Sequence, residues 1–192
     1  MIYCILADGF EEIEALTPID MLRRAGLSVT TLTLRENHTA GMANGAHRIC
    51  VTGDAVLTDE VPDDIEMLIL PGGMPGAKNI DQSPDADKWI RAAAEQGAYL
   101  CAICAAPMIL GKRGLLAGYR AVCYPGFETD LHGARVEYGA LAVDDRRITA
   151  CGMGAAQRFG AALVAAMKGE EAARKVWTSI LSSRTSLSYS NP

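Results

Sequence analysis

The sequence predicts one α/β domain whose mostly parallel sheet is covered by helices on both faces. Short β-rich runs alternate with helical patterns along the 192 residues, which is the pattern of parallel sheets. Several runs are continuously apolar, as expected for strands that are buried on both faces. No repeat or linker interrupts the chain, and a chain of this length buries a substantial core without disulfides. We therefore expect a single domain over residues 1–192.

The first elements are a strand, a helix and a second strand. Residues 2–7 form an apolar run typical of a buried parallel strand. Helical residues follow from about Glu11, but Pro18 stands where a helix interior would be and fits a first helical position. We therefore expect a kink or restart there, with Gly26 just past the helix end. Residues 27–34 are the next strand.

The middle of the chain is less regular. Residues 35–64 are polar and contain short strand candidates at 48–51 and 55–57, which favour an edge hairpin or an interface. An apolar strand at 67–70 then ends in a loop that only a glycine-rich backbone turns this tightly, Pro71-Gly72-Gly73-Met74-Pro75-Gly76. A helix opens at Ser83 and Pro84, and Gly97 closes it.

The second half alternates strands and helices again. A buried strand at 99–103 runs almost directly into a helix that is predicted to begin at Ala105. Further strand candidates are residues 120–123, 134–136 and 147–151. A helix over about 154–168 closes at Gly169, a last helical stretch covers 170–181, and a Ser-rich tail follows.

Composition limits the class of protein. The formal net charge is −5 and the basic residues are not clustered, which argues against a nucleic-acid surface. No apolar stretch approaches the roughly 18 residues that cross a bilayer, and no basic leader opens the chain. The six cysteines are scattered along apolar runs rather than packed into a disulfide frame. We expect a cytoplasmic protein with free thiols, without nucleic-acid or membrane partners.

Cys104 is the strongest candidate for chemistry. It lies in Ala102-Ile103-Cys104-Ala105-Ala106-Pro107, between a strand and a helix with almost no loop. Such an elbow lifts one side chain above the carboxyl end of the sheet. A buried, inert cysteine is the ordinary alternative, but the elbow favours a nucleophile. The free N–H groups of a following helix are expected to favour the thiolate.

Two further features are expected at the same edge of the sheet, where ligands bind in open α/β folds. Glu11 and Glu14 are three residues apart and share a helix face, although acidic residues also favour helix starts for stability alone. Glu14 could meet Cys104, and a carboxyl group beside a thiolate should have a raised pKa and act as a proton donor. The N–H groups of the glycine loop, together with that of Ala105, could form an oxyanion pocket.

Three other kinds of site are less favoured. Cys101 and Cys104 match C-x-x-C, but Cys101 would lie buried in mid-strand, unlike one half of a redox pair. His38, His47 and His132 lack metal-ligand spacing, so we expect no metal. The glycine loop lacks a phosphate or dinucleotide signature, and no cofactor is expected.

Taken together, these motifs resemble the DJ-1/ThiJ/PfpI superfamily, in particular its DJ-1-like branch, over nearly the whole chain. The resemblance rests on Glu11-Glu12-Ile13-Glu14 with residues 20–26, Leu70-Pro71-Gly72-Gly73 with Gly76-Ala77, the elbow at 102–107, and Gly152-Met153-Gly154. It implies a flavodoxin-like three-layer sandwich and a homodimer. It also implies a reactive, oxidisable cysteine at Cys104, hydrogen-bonded by Glu14, with Glu11 as a second acid of the pocket and Gly73 and Ala105 as backbone donors.

One position departs from the family pattern. Human-like members carry His-Pro beside the cysteine, whereas this chain has Tyr124-Pro125. Tyr124 can donate a hydrogen bond but is not a base at neutral pH. The protease-like branch places His directly after the cysteine, and Ala105 stands there, so peptidase activity is not expected.

Three functions remain open on the sequence alone. The first is a cysteine enzyme acting on reactive carbonyls, as a glutathione-independent glyoxalase or a deglycase. The second is an oxidative-stress sensor or chaperone that works through oxidation of Cys104 by an oxidant to a sulfinate, without turnover. The third is a catalytically idle binding domain.

Overall fold

A computed structural model of the protein describes residues 1–180, and the end of the last helix predicted to 181 lies outside these residues, as does the Ser-rich tail. The described elements, in chain order, are β1 (Ile2–Leu6), α1 (Glu12–Arg24), β2 (Val29–Thr33), β3 (Met42–Asn44), β4 (Cys50–Thr52), β5 (Ala55–Val56), β6 (Met67–Leu70), α2 (Gly76–Gln82), α3 (Pro84–Glu95), β7 (Tyr99–Ile103), α4 (Pro107–Lys112), β8 (Arg120–Ala121), β9 (Arg135–Val136), β10 (Leu141–Asp144), β11 (Arg147–Ala150), α5 (Ala156–Lys168) and α6 (Glu170–Ser179).

Seven strands form the central sheet in the order β10-β11-β7-β6-β1-β2-β5. All neighbours are parallel except β10 and β11, which pair as an antiparallel hairpin at one edge. β1, β6 and β7 lie side by side in the centre, so their carboxyl ends open onto one edge of the sheet. Parallel strands need crossover connections; α1 joins β1 to β2, α2 and α3 join β6 to β7, and α5 follows the last strand of the sheet.

Two hydrophobic cores cover the two faces of the sheet. On one face, α1 and α5 pack through residues such as Leu22 and Phe159, both fully buried. On the other face, α2, α3 and α4 contribute residues such as Ile80, Ile90 and Ile109. The central strands are buried on both faces, which explains their unbroken apolar sequences. The predicted α/β class is confirmed: the fold is a flavodoxin-like sandwich of three layers.

Several local predictions need correction. α1 continues through Pro18, so the predicted restart is wrong. Proline lacks an N–H donor, but the packing of α1 against the sheet and α5 keeps the chain helical at this position. Sequence patterns also missed β3, α2 and β10. β3 has only three residues and is defined by antiparallel pairing with β4 in a separate two-stranded sheet, whereas the strand candidate at 55–57 lies at β5, which pairs with β2 in parallel at the edge of the central sheet. α2 begins at a glycine with no side-chain cap.

The helix after the elbow begins later than predicted. α4 starts at Pro107 rather than Ala105, because the backbone turns at Cys104 and needs residues 104–106 to recover helical geometry. Only six residues make up this helix.

Among residues 1–180, no helix combines the length and the hydropathy required of a bilayer-spanning segment.

Candidate active site

Cys104 occupies a strained elbow at the carboxyl end of β7. Its φ is +64°, in the left-handed region that residues other than glycine rarely adopt. Its backbone is held on two sides, because its N–H donates to the Ala150 carbonyl at 2.8 Å and its carbonyl accepts from the Tyr124 N–H at 2.8 Å. The side chain is only half-buried. The elbow therefore presents one sulfur atom at a fixed position on the edge of the sheet.

Glu14 of α1 lies against this sulfur. Its side chain is 1% exposed, and its carboxyl group is hydrogen-bonded to the Cys104 thiol and approached by the N–H groups of Gly72 and Met153. The Oε2 atom makes no hydrogen bond of normal geometry to any residue in the described part of the chain. Burial raises the pKa of Glu14 to about 7, with the charge of Glu11 adding to the effect. The carboxyl group can therefore hold a proton near neutral pH.

The pKa of Cys104 is also raised, to about 12, which contradicts the thiolate that a helix start was expected to favour. Burial is the main cause, followed by the negative charge of Glu14 and its hydrogen bond to the thiol. The N–H groups of Ala105 and Gly73 point at the sulfur and oppose the rise. The short α4, beginning three residues later, supplies too little dipole to reverse it. A proton on Glu14 removes its negative charge, the second of these causes, so the thiolate forms more readily when Glu14 carries the proton.

The glycine loop after β6 allows this close approach. A Cβ on Gly72 would lie 2.6 Å from the Cys104 Cβ and 2.9 Å from the Ile103 carbonyl oxygen, and closer still to the Glu14 carboxyl group. Gly73 has a φ of +88°, and a Cβ there would collide with the backbone around Phe10. Both positions therefore require glycine, for space at the first and for space and backbone conformation at the second.

Glu11 stands at the N-cap of α1 rather than inside the helix that it was expected to share with Glu14, and Glu12 is directed elsewhere, to His47. Glu11 precedes α1 and caps it, with Oε2 accepting from the Glu14 N–H at 2.7 Å. Glu12 is 2% exposed and binds His47, through Oε2 to Nδ1 at 2.8 Å and through Oε1 from the backbone N–H at 2.7 Å. Glu11 therefore orients Glu14, while Glu12 anchors the loop between β3 and β4 to α1.

The imidazole of His47 lies close enough to the two acids to form a group that could hold a metal ion. One ligand atom from each of Glu11, Glu12 and His47 lies within 4.8 Å of the others. Sequence spacing missed this group because His47 is 35 residues from Glu12 along the chain. Three of its four carboxyl oxygens are already engaged, one of Glu11 in the α1 cap and both of Glu12 in bonds to His47.

Tyr124 lies beside the elbow at the wall of a cleft. Its ring lies next to Gly152, and the residue is 51% exposed. Its backbone N–H donates to the Cys104 carbonyl. The cleft has a volume of about 520 Å³ and is mainly apolar, with Tyr138 and Met153 also exposed in its lining. Sequence reasoning gave Met153 no site role, although Gly-Met-Gly directly after a buried strand signals a close backbone approach.

Thus the structure brings together Cys104, Glu14, Gly73, Ala105 and Tyr124, with Glu11 behind Glu14. Cys101 is fully buried within β7, as predicted, and has a pKa well above its usual value because of burial. A flavodoxin-like sandwich with a cysteine elbow at the carboxyl edge of its sheet defines the class of protein.

The family follows from comparison with known proteins. The model of the DJ-1/PfpI family matches residues 1–166, and the chain belongs to this family. Protein DJ-1 homolog B of Arabidopsis thaliana is 32% identical over 89% of this chain, which spans 39% of that longer protein. A deglycase of Pyrococcus abyssi is 29% identical, over 69% of this chain and 76% of its own length. The oxidized DJ-1 of Toxoplasma gondii has a TM-score of 0.85 at 30% identity, covering 94% of this chain and 97% of its own.

Proposed function

We propose that the protein converts reactive carbonyl compounds by covalent catalysis at Cys104, as a glutathione-independent glyoxalase or a deglycase. The observation that carries the proposal is the hydrogen-bonded pair of Cys104 and the buried Glu14, with the Gly73 and Ala105 N–H groups aimed at the sulfur. A nucleophile, a proton carrier and oxyanion donors then meet at one point. The similarity to an archaeal deglycase supports this class of substrate.

The first step with methylglyoxal is addition of the thiolate to the aldehyde. Glu14 holds the proton that the thiol has lost, and the sulfur attacks the aldehyde carbon as the carbonyl electron pair moves to oxygen. The N–H groups of Gly73 and Ala105 stabilise this oxyanion, and Glu14 then protonates it. The product is a hemithioacetal on Cys104, with Glu14 ionised.

The ionised Glu14 then acts as the base. It removes the proton from the former aldehyde carbon, leaving an enediolate, and returns it to the neighbouring carbon, while the hydroxyl proton of the first carbon passes to the oxygen of the second to give a lactoyl thioester. Water hydrolyses the thioester, which releases lactate and restores the thiol. The raised pKa of Glu14, caused by burial, suits a group that must both give and take a proton near neutral pH.

Purified protein incubated with methylglyoxal tests this proposal through lactate formation. We expect Cys104→Ser to lose activity by at least about a hundredfold, since the nucleophile is removed. Cys50→Ser is the matched control, because Cys50 is exposed on β4, outside the central sheet, and its loss should leave the rate unchanged. Equal low rates in wild type and Cys104→Ser would refute the proposal.

A second candidate function is oxidative sensing through a Cys104 sulfinate. The half-exposed sulfur and the oxidized relative from Toxoplasma gondii favour it. Mass spectrometry after mild peroxide should then show selective gain of two oxygens at Cys104, lost in Glu14→Ala. Indiscriminate oxidation of the six cysteines would exclude this function. A homodimer, cytoplasmic location and a single domain over residues 1–192 complete the proposal.

A further inference from the structure

A second thiol adjoins Cys104 across the sheet and has no role in the carbonyl chemistry proposed above. β7 and β11 are parallel neighbours, with Ile103 opposite Ala150. The N–H of Cys104 donates to the Ala150 carbonyl, so the residue immediately after this acceptor, Cys151, lies beside Cys104. Neighbouring strands are about 5 Å apart, which is within the Cα separation that a disulfide spans.

The two cysteines also pack against the core on the same face of the sheet. Cys104 and Cys151 are both half-buried and both pack against the core that contains α1 and α5. The pKa of Cys151 is raised by burial and by the charge of Glu14, the same carboxyl group that contacts Cys104. Cys151 lines the cleft of about 520 Å³, so peroxide-sized molecules can reach this region.

The remaining cysteines are placed differently. Cys4 and Cys101 are fully buried within strands, and Cys50 is exposed on β4. Cys123 lines the same cleft but belongs to the core on the opposite face of the sheet. It is therefore a matched comparison for Cys151, because the next residue, Tyr124, donates its N–H to the Cys104 carbonyl, yet Cys123 packs on the other face of the sheet.

We propose that Cys151 is a resolving thiol that converts oxidised Cys104 into a reversible Cys104–Cys151 disulfide. A peroxide first transfers one oxygen to the Cys104 sulfur, giving a sulfenic acid and releasing water or an alcohol. The Cys151 sulfur then attacks the Cys104 sulfur, forming the S–S bond and breaking the S–O bond. The hydroxyl leaves with the Cys151 proton as water, and an external dithiol later restores both thiols.

This inference requires a reactive Cys104 but not carbonyl turnover, so the two proposals can fail separately. Cys151 directly follows the residue that is hydrogen-bonded to the Cys104 N–H. Its thiol therefore has a high effective concentration and competes with a second peroxide molecule for the Cys104 sulfenic acid. Cys151 would thereby divert Cys104 from the irreversible sulfinate. The disulfide would also block the nucleophile until a reductant is present.

Peptide mapping of the reduced protein after stoichiometric hydrogen peroxide tests the disulfide. Trypsin leaves Cys151 alone in residues 148–158, Cys123 alone in 121–135, and Cys104 with Cys101 in 92–112. We expect a non-reduced product that links 92–112 to 148–158, with fragment ions placing the bond at Cys104. A link to 121–135 instead, or a Cys104 sulfinate with no link, would overturn the proposal.

Two variants sharpen the test. Cys151→Ser should form Cys104 sulfinate at least about tenfold faster than wild type at the same peroxide dose, whereas Cys123→Ser should behave as wild type. Dithiothreitol should restore the thiol of Cys104 in wild type and Cys123→Ser but not in Cys151→Ser. Equal sulfinate rates in all three proteins would contradict a resolving role. The wild-type peptide map stands by itself if a variant does not fold.

Discussion

Two side chains at the carboxyl edge of the sheet compete for one proton. Cys104 and Glu14 are hydrogen-bonded, and burial raises the pKa of both, to about 12 and about 7. A thiolate and a carboxylate side by side in this setting repel each other, so the pair retains one proton over the neutral range. The reactive arrangement has the proton on Glu14, and the N–H groups of Gly73 and Ala105 favour it by pointing at the sulfur.

The raised pKa of Glu14 can be tested by comparing the free energy of unfolding of a Glu14→Gln variant with that of the wild type. Because the folded pKa is raised, the native protein binds the proton more tightly than the unfolded chain, so stability falls as pH rises from about 4.5 through about 7. Glutamine has the same shape and does not ionise. The unfolding free energy of the variant relative to wild type should therefore increase by up to about 3 kcal/mol between about pH 4 and pH 8. Urea titrations at both values measure this difference, and no change with pH would contradict the raised pKa.

At the scale of elements, the loop after β6 controls how closely β7 and α1 approach. Gly72→Ala should destabilise the protein by about 1–3 kcal/mol and reduce lactate formation, because the new Cβ meets the backbone at Ile103 and the Cys104 side chain. Gly154→Ala is the matched control, since nothing lies within 4 Å of a Cβ there. Thermal unfolding of both variants checks the prediction, and equal melting temperatures would contradict it.

The contact between α1 and the loop joining β3 to β4 should depend on pH. The hydrogen bond to Glu12 raises the pKa of His47. For Glu12, burial raises the pKa, but hydrogen bonds from His47 and from the backbone outweigh burial and hold the pKa below its usual value. The contribution of His47 to the free energy of unfolding is complete below about pH 6.5 and is lost as pH rises through its folded pKa. The contribution of Glu12 is present above about pH 4.5 and is lost in acid. The pair therefore stabilises most between about pH 4.5 and 6.5.

Substitution of His47 checks this window. The difference in melting temperature between wild type and His47→Gln should be larger at about pH 6 than at about pH 8. His38→Gln, at another exposed histidine, is the control for the substitution itself. A difference for His47→Gln that grows above pH 7 would contradict the pairing.

For the whole molecule, sequence patterns predicted what depends on local and periodic signals. The buried central strands, the elbow at Cys104 and the meeting of Glu14 with the sheet edge all follow from apolar runs and chain order. The Glu12–His47 pair and the position of Cys151 beside Cys104 depend on pairings between distant segments. The pKa of Cys104 depends on burial, so a helix rule applied to residues 104–107 gave the wrong direction.

Two exposed isoleucines bear on the oligomeric state of the molecule. Ile13 on α1 is 47% exposed and Ile49 is 53% exposed, and the Ile49 N–H lies 3.5 Å from a carboxyl oxygen of Glu12, next to Ile13. Exposed large apolar side chains favour association. Light scattering should give a molecular mass of about twice the 20.4 kDa of one chain, and Ile13→Glu should lower this mass towards that of one chain. A wild-type mass of a single chain at micromolar concentration would contradict the dimer.

The pH dependence of lactate formation from methylglyoxal, compared between wild type and Glu14→Gln, tests the Cys104–Glu14 pair most directly. If the pair reacts in its one-proton state, the wild-type rate should rise through about pH 7 and then level off. In Glu14→Gln the rise should move to higher pH, towards the titration of Cys104 itself, with a much lower rate at neutral pH. The same profile in both proteins would contradict the account.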